Sequence, residues 1–215
     1  ASLGVDSLCL AEYNFNPGRV MAATVTILSN VAVRTKSIRL GTAVILLPLA
    51  NPIRVADEIA TLDLISGGRV EFGIGRGTFP NVHEGFSSPF EESRGRFDES
   101  LEIIIKAWTS ETFSFEGDFY SFEDVTVTPK PLQSPYPPIS VGVTSAESFA
   151  VTGRMGQNMM INPSRVFTLV GLKPQIEEYH QAWKDASHEG RGKVCLRVPV
   201  YLSQDPQKAH DEPME

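Results

Sequence analysis

Eleven residues, Gly67-Gly68-Arg69-Val70-Glu71-Phe72-Gly73-Ile74-Gly75-Arg76-Gly77, place five glycines and two arginines around a short apolar run. Glycine lets a phosphate approach the backbone, and arginine offers it a planar fork of donors. The spacing matches neither common nucleotide fingerprint. A dinucleotide loop needs glycines at its first, third and sixth positions, whereas Gly73, Gly75 and Gly77 occupy the first, third and fifth; no Lys-Ser or Lys-Thr pair follows to make a Walker loop. What remains is Gly-Ile-Gly-Arg-Gly at the end of an apolar run, the place where parallel α/β proteins open to ligands. Arg76 is then either an anion ligand or half of a surface ion pair beside a tight turn. A second such place is Thr144-Ser145-Ala146-Glu147-Ser148, after another apolar run and before a helical pattern. Thr144, Ser145 and Ser148 read there as anion ligands or as ordinary N-caps. Glu12 and Glu71 are acids near strand ends, as in barrel glycosidases, but Glu71 sits inside an apolar run and no second glycosidase feature appears. His83, His180, His188 and His210 lack HxH or HExxH spacing, so no metal site is expected. His83, following the glycine run, reads as solvent-exposed rather than as a substrate contact.

Groups this far apart need a fold to gather them. Six apolar runs are strand candidates: SLCLA from Ser7, IRLGTAVILL from Ile38, VEFGIG from Val70, ISVGV from Ile139, NMMIN from Asn158 and VCLRVPVYL from Val194. Helical patterns fill the gaps, at Ala22 to Arg34, Pro52 to Ser66, Glu91 to Thr109, Ala146 to Met155 and Thr168 to Ser187. Phe97, Leu101, Ile104 and Trp108 form one apolar stripe, and Leu172, Ile176, Tyr179 and Trp183 another. The first three strands start about 31 residues apart, the size of one βα unit, and are apolar almost throughout, as strands covered on both faces are. That predicts a parallel sheet. An open doubly wound sheet and a closed (β/α)8 TIM barrel both fit, and the regular repeat favours the barrel. A barrel takes about 250 residues and eight strands, so the single domain 1–215, with six strand candidates, is expected to be incomplete, one strand before Ala1 and another after Glu215 mending the count. Residues 112–128 alternate aromatic and polar side chains around Gly117 and Asp118, which predicts a hairpin insertion.

Composition narrows the partners. With 19 Lys and Arg against 26 Asp and Glu, the net charge is −7, and no general nucleic-acid-binding face is expected. No window approaches the roughly 18 apolar residues of a membrane span. Cys9 and Cys195 form no CxxC pattern, which argues against a disulfide framework or zinc and fits a reducing cytoplasm.

Several runs together resemble a known family. IRLGTAVILLPLANPIRVADEIATLDLISGGRVEFGIGRG, FEESRGRFDESLEIIIKAW, FSFEGDFYSF, VTPKPLQ and PPISVGVTSAESF are similar, in order, to the bacterial luciferase-like flavin-dependent monooxygenases. The resemblance implies a (β/α)8 barrel, usually a homodimer, that binds FMN or reduced FMN at the C-terminal ends of its strands, and against it the chain reads as an internal segment lacking the first strand and the C-terminal strand-helix region; a branch using coenzyme F420 shares much of the motif set. It places Arg76, with Gly75 and Gly77, at the flavin phosphate, joined by Thr144, Ser145 and Ser148. It places Thr42 and Ala43 at a strand bulge against the flavin ring, often with a non-proline cis peptide. Glu58, Asp63 and Arg69 fall in a segment read as structural ion pairs near the dimer contact. The chain departs from the pattern at Ala11 to Phe15, where AEYNF stands for AEHHF. Tyr13 and Asn14 are therefore hydrogen-bond donors or pocket wall instead of a histidine base, since tyrosine titrates near 10. Gly75 stands where luciferase has a reactive cysteine.

Three functions follow from the resemblance. The first is a cytoplasmic monooxygenase that takes reduced FMN from a separate flavin reductase and uses O2 on a small organic substrate. The second is F420-dependent hydride transfer, which asks for no base at Tyr13. The third is a non-catalytic flavin-binding protein.

Overall fold

The computed structural model describes residues 4–18, 21–163 and 170–212. The chain runs through β1 (Ser7–Leu10), α1 (Thr24–Arg34), β2 (Arg39–Thr42), β3 (Ile45–Leu46), α2 (Pro52–Ser66) and β4 (Val70–Gly75). A short α3 (Pro80–Gly85), α4 (Ser93–Thr109) and the strands β5 (Phe113–Glu116) and β6 (Ser121–Val125) follow. The last elements are β7 (Ile139–Val143), α5 (Glu147–Arg154), β8 (Asn158–Ile161), α6 (Leu172–Asp185), β9 (Val194–Leu196) and α7 (Pro206–Asp211).

Strands β1, β2, β4, β7, β8 and β9 lie side by side in that order, with β3 added to β4, and every pair among them is parallel. Among the described residues the sheet is an open, curled half-barrel with β1 and β9 at its edges, so the closed eight-stranded barrel is not formed by these residues. The curl brings both edges near the middle. Burial first, and then the negative charge of Glu71 on β4, pushes up the thiols of Cys9 on β1 and Cys195 on β9. Both cysteines are free. The main core, including Leu28, Ile59, Leu62, Phe72 and Ile104, lies between sheet and helices.

Local chemistry sets the boundaries. Asn51 caps α2 by accepting from the amides of Ile53 and Arg54, Pro52 begins it, and Gly67 ends it at φ 70°. The α4 stripe is buried as expected, and Trp108 donates from its indole to the Ala56 carbonyl at 3.1 Å. Strands β5 and β6 form the predicted antiparallel hairpin. Its turn is tied to α4 by Glu99, whose carboxylate accepts from the amides of Asp118, Phe119 and Tyr120.

Three expectations need correction. The strand predicted from Val194 stops at Leu196: the last sheet bond runs from the Arg197 amide to the Ile161 carbonyl at 2.9 Å, and Pro199 has no N–H with which to resume. The helix predicted from Thr168 begins at Leu172, with Thr168 itself outside the described residues. Asp63 and Arg69 are structural but not an ion pair. Buried Asp63 accepts from the amide and side chain of Gln133, while Arg69 donates to the carbonyls of Ala32, Thr35, Ile38 and Ser66. Arg69 thereby closes the C-terminal turn of α1 together with Thr35, whose hydroxyl donates to the Val31 carbonyl at 2.8 Å. Glu58 is exposed.

Candidate functional site: the C-terminal rim of the sheet

Parallel strands end on one side, and the residues singled out in the sequence follow those ends. Glu12, Tyr13 and Asn14 come after β1, Ala43 and Val44 link β2 to β3, Arg76 and Gly77 leave β4, and residues 144–148 leave β7. The pairing of Ile74 with Val141 continues the register to set Arg76 beside Val143, one residue before Thr144. Neighbouring strands lie about 4.8 Å apart, so Arg76 and the Thr144 to Ser148 run emerge together.

Arg76 is exposed, and its guanidinium lies 5.7 Å from the centre of the Phe90 ring. Among the described residues it has no carboxylate partner, which removes the ion-pair explanation of this arginine. Across the rim, the hydroxyls of Ser145 and Ser148 hydrogen-bond each other at 2.7 Å. They do not cap α5, whose first turn has no side-chain cap. Ordinary N-capping therefore does not account for these serines.

The glycines have reasons internal to the chain. A β-carbon on Gly73 would stand 1.9 Å from the Thr42 carbonyl oxygen, and one on Gly75 would stand 2.6 Å from a Val44 methyl. Gly77 adopts φ 84°, and its β-carbon would meet His83. The sequence reading gave these positions to ligand access; here they make room for neighbouring protein atoms.

Thr42 is fully buried, and its hydroxyl donates to the Gly73 carbonyl at 2.7 Å and accepts from the Gly73 amide at 2.9 Å. That hydroxyl is used inside the sheet, leaving Ala43 as the partly exposed member of the pair. The peptide between Ala43 and Val44 is cis. Tyr13 pairs through its backbone with Met21, and its amide donates to the Met21 carbonyl at 2.6 Å. The Asn14 side-chain amide donates to Glu12 at 3.2 Å.

Two rim residues were underrated in the sequence. Burial pushes Glu12 above the ordinary glutamate range, against the opposing hydrogen bonds from Asn14 and the Leu46 backbone. Its expected counterpart Glu71 is instead paired with Arg39 at 2.7 Å, which ends the paired-acid reading. His83, expected in solvent, is completely buried on α3, with its ring edge-on to Phe90 at 5.1 Å. Its ring is covered by Phe90, seven residues on, while Phe79 and Phe86 stay exposed, so the apolar residues near it in sequence do not by themselves signal its burial.

Among the described residues no group of three or more histidine, cysteine or acidic side chains is placed to hold a metal, and no helix is long and apolar enough to cross a membrane. Among the described residues, an arginine with no carboxylate partner and two serine hydroxyls not used as caps leave the same rim, donors of the kind a phosphate group takes. The fold and rim thus define a parallel α/β protein with Arg76 and the Ser145–Ser148 pair at the C-terminal ends of its strands.

Comparison with known proteins specifies the class. The luciferase-like monooxygenase family model matches residues 1–214, and the chain belongs to that family. Monooxygenase RslO1 from Streptomyces bottropensis superposes with a TM-score of 0.91 at 30% identity, over 98% of this chain and 65% of its own. The FMNH2-dependent dimethylsulfone monooxygenase of Pseudomonas putida is 34% identical over 60% of this chain and 35% of its own. The F420-dependent glucose-6-phosphate dehydrogenase of Amycolatopsis mediterranei is 30% identical over 86% of this chain and 55% of its own. The chain spans about half the length of the curated relatives it matches.

Proposed function

We propose that the protein is a flavin-dependent oxidoreductase, a monooxygenase that takes reduced FMN from a separate flavin reductase and uses O2 on a small organic substrate. The homodimer and cytoplasmic location implied by the resemblance belong to this reading. The observation that carries it is Arg76, an exposed guanidinium that among the described residues has no carboxylate partner, on the same rim as the Ser145–Ser148 pair. Arg76 would hold the FMN phosphate bidentately, which a lysine does less well. Thr144, Ser145 and Ser148 would offer hydroxyls to the same group. Gly75 and Gly77 would shape the backbone beneath it, and Ala43 would lie against the ring. Reduced FMN supplies the electrons and the reaction with O2. Tyr13 and Asn14 would donate hydrogen bonds to substrate or cofactor, and Glu12, held by Asn14, is the rim carboxyl that keeps its proton to higher pH.

The F420 reading has support of its own in the dehydrogenase relative and in Tyr13, since hydride transfer asks for no histidine there. Titration of the protein with FMN and F420, oxidised and reduced, separates the two. Arg76→Ala is expected to weaken FMN binding about 10- to 100-fold, the worth of a charge-assisted contact of about 1.5–3 kcal/mol. Oxygen consumption that depends on reduced FMN and substrate supports monooxygenation. Preference for F420 replaces that reading, and binding of neither cofactor refutes both.

A further inference from the structure

His83 has no place in the reading above, yet it is the least expected group near the rim. Its side chain is completely buried, and among the described residues neither ring nitrogen has a hydrogen-bond partner. Such a group costs free energy unless something else uses it. Its position is specific. Nε2 lies 2.8 Å from where a β-carbon of Gly77 would stand, so the ring backs directly onto the residue after Arg76. Its other neighbour, Phe90, is the ring that carries the Arg76 guanidinium. His83, Phe90, Arg76 and Gly77 thus form one packed unit at the end of β4.

We propose that His83 is a proton-linked positioning residue of the anion site, taking up a proton behind Gly77 when a phosphate settles against Arg76. The inference rests on the reading of Arg76 as the phosphate ligand. The charged groups around the ring are few. Arg76 comes from the segment after β4, Glu84 is exposed on α3, Glu91 is exposed beside Phe90, and Glu92 is paired with Arg96 at 2.7 Å. The β3 side contributes Leu46, whose side chain carries no charge and whose backbone holds the rim carboxyl of Glu12.

Burial lowers the proton affinity of the ring most; the nearby Arg76 carbonyl favours the proton without reaching hydrogen-bond geometry, and the Arg76 cation opposes it. A phosphate reverses the last of these effects. It cancels the guanidinium's field and adds its own, so the bound state holds the proton to higher pH than the free state does. By linkage, binding then strengthens as pH falls between the two values, by at most about tenfold per pH unit for one proton. The phosphate's own ionisation near pH 6 acts in the opposite direction. The effect is therefore read as a difference between proteins.

The test is calorimetry of oxidised FMN binding in buffers of different ionisation enthalpy, across about pH 6 to 8, with His83→Gln and His83→Leu alongside. The native protein is expected to take up more protons per FMN than either variant, up to one, and its affinity advantage should grow severalfold toward low pH. Riboflavin, which has no phosphate, should show no such difference. Two variants of different polarity guard against a folding defect in one. Equal proton counts in all three proteins, with Arg76-dependent FMN binding intact, overturn the role of His83 alone. If FMN does not bind the native protein, the phosphate reading and this inference fall together.

Discussion

Replacing Thr42 by valine separates a structural role from a cofactor role at the rim. The side chains have nearly the same shape, but valine neither donates nor accepts. Thr42 is fully buried and its hydroxyl serves both the amide and the carbonyl of Gly73, at 2.9 and 2.7 Å. Regular pairing between β2 and β4 ends at Gly41 with Glu71, so no backbone group stands by to replace it. Leaving one buried donor and one buried acceptor unpaired costs about 1–3 kcal/mol each, partly offset because no hydroxyl is then buried. A net loss of about 3 kcal/mol is expected. Unfolding entropy of about 2.1 cal/mol/K per residue over 215 residues converts that loss into a melting temperature lower by ~7 °C. Thr42→Ser keeps the hydroxyl and gives up one buried methyl, about 1 kcal/mol or ~2 °C. Circular dichroism melts measure both variants, and FMN titration well below the transition measures the site. Valine should lower the melting temperature and leave FMN affinity within a few-fold. A valine variant that melts with the native protein, or one that is stable yet loses FMN, would refute the assignment of this hydroxyl to the sheet.

Gly75→Ala should cost about 1–3 kcal/mol in chemical denaturation, because its methyl would stand 2.6 Å from Val44. Adding Val44→Ala should recover most of that loss, and two simply additive costs would show that the contact is not the cause. Glu12→Gln tests the raised carboxyl. Because folding raises its proton affinity, Glu12 favours the folded state below the ordinary value of 4.5 and loses that contribution as pH rises through its folded value. Melting temperatures of the native protein should therefore fall relative to Glu12→Gln between about pH 4 and 8, and parallel curves would show that Glu12 is not perturbed.

Much of the fold could be read because its signals are local. The start of α2 at Pro52 and its end before Gly67 follow from Asn, Pro and Gly acting within a few residues. The hairpin at β5 and β6 follows from its own alternation, and the parallel sheet from strand spacing and apolar runs. The misreadings concern partners far along the chain. Arg69 serves carbonyls more than thirty positions away, and Asp63 reaches Gln133. His83 was placed in solvent because one histidine in a loop pattern says nothing about the ring of Phe90 closing over it. At the rim, the order of residues was legible from strand ends, but which hydroxyl faces inward was not.

The glycine run has an explanation in the packing of the sheet itself. Gly73, Gly75 and Gly77 looked like a loop cleared for phosphate, yet a side chain at each would strike Thr42, Val44 or His83. The crowding arises because β2 breaks at Ala43 and resumes as β3, which moves its partner positions on β4 from Glu71 to Ile74 and Gly75 and presses the Thr42 carbonyl and Val44 against the strand. Glycine is what lets β4 run through that break without a bulge of its own. Arg76 is the first residue beyond it with a side chain free of the sheet, carried out on the Phe90 face. The pattern thus reports the packing that aims the arginine, and within the run it is Arg76 that carries the proposed phosphate reading.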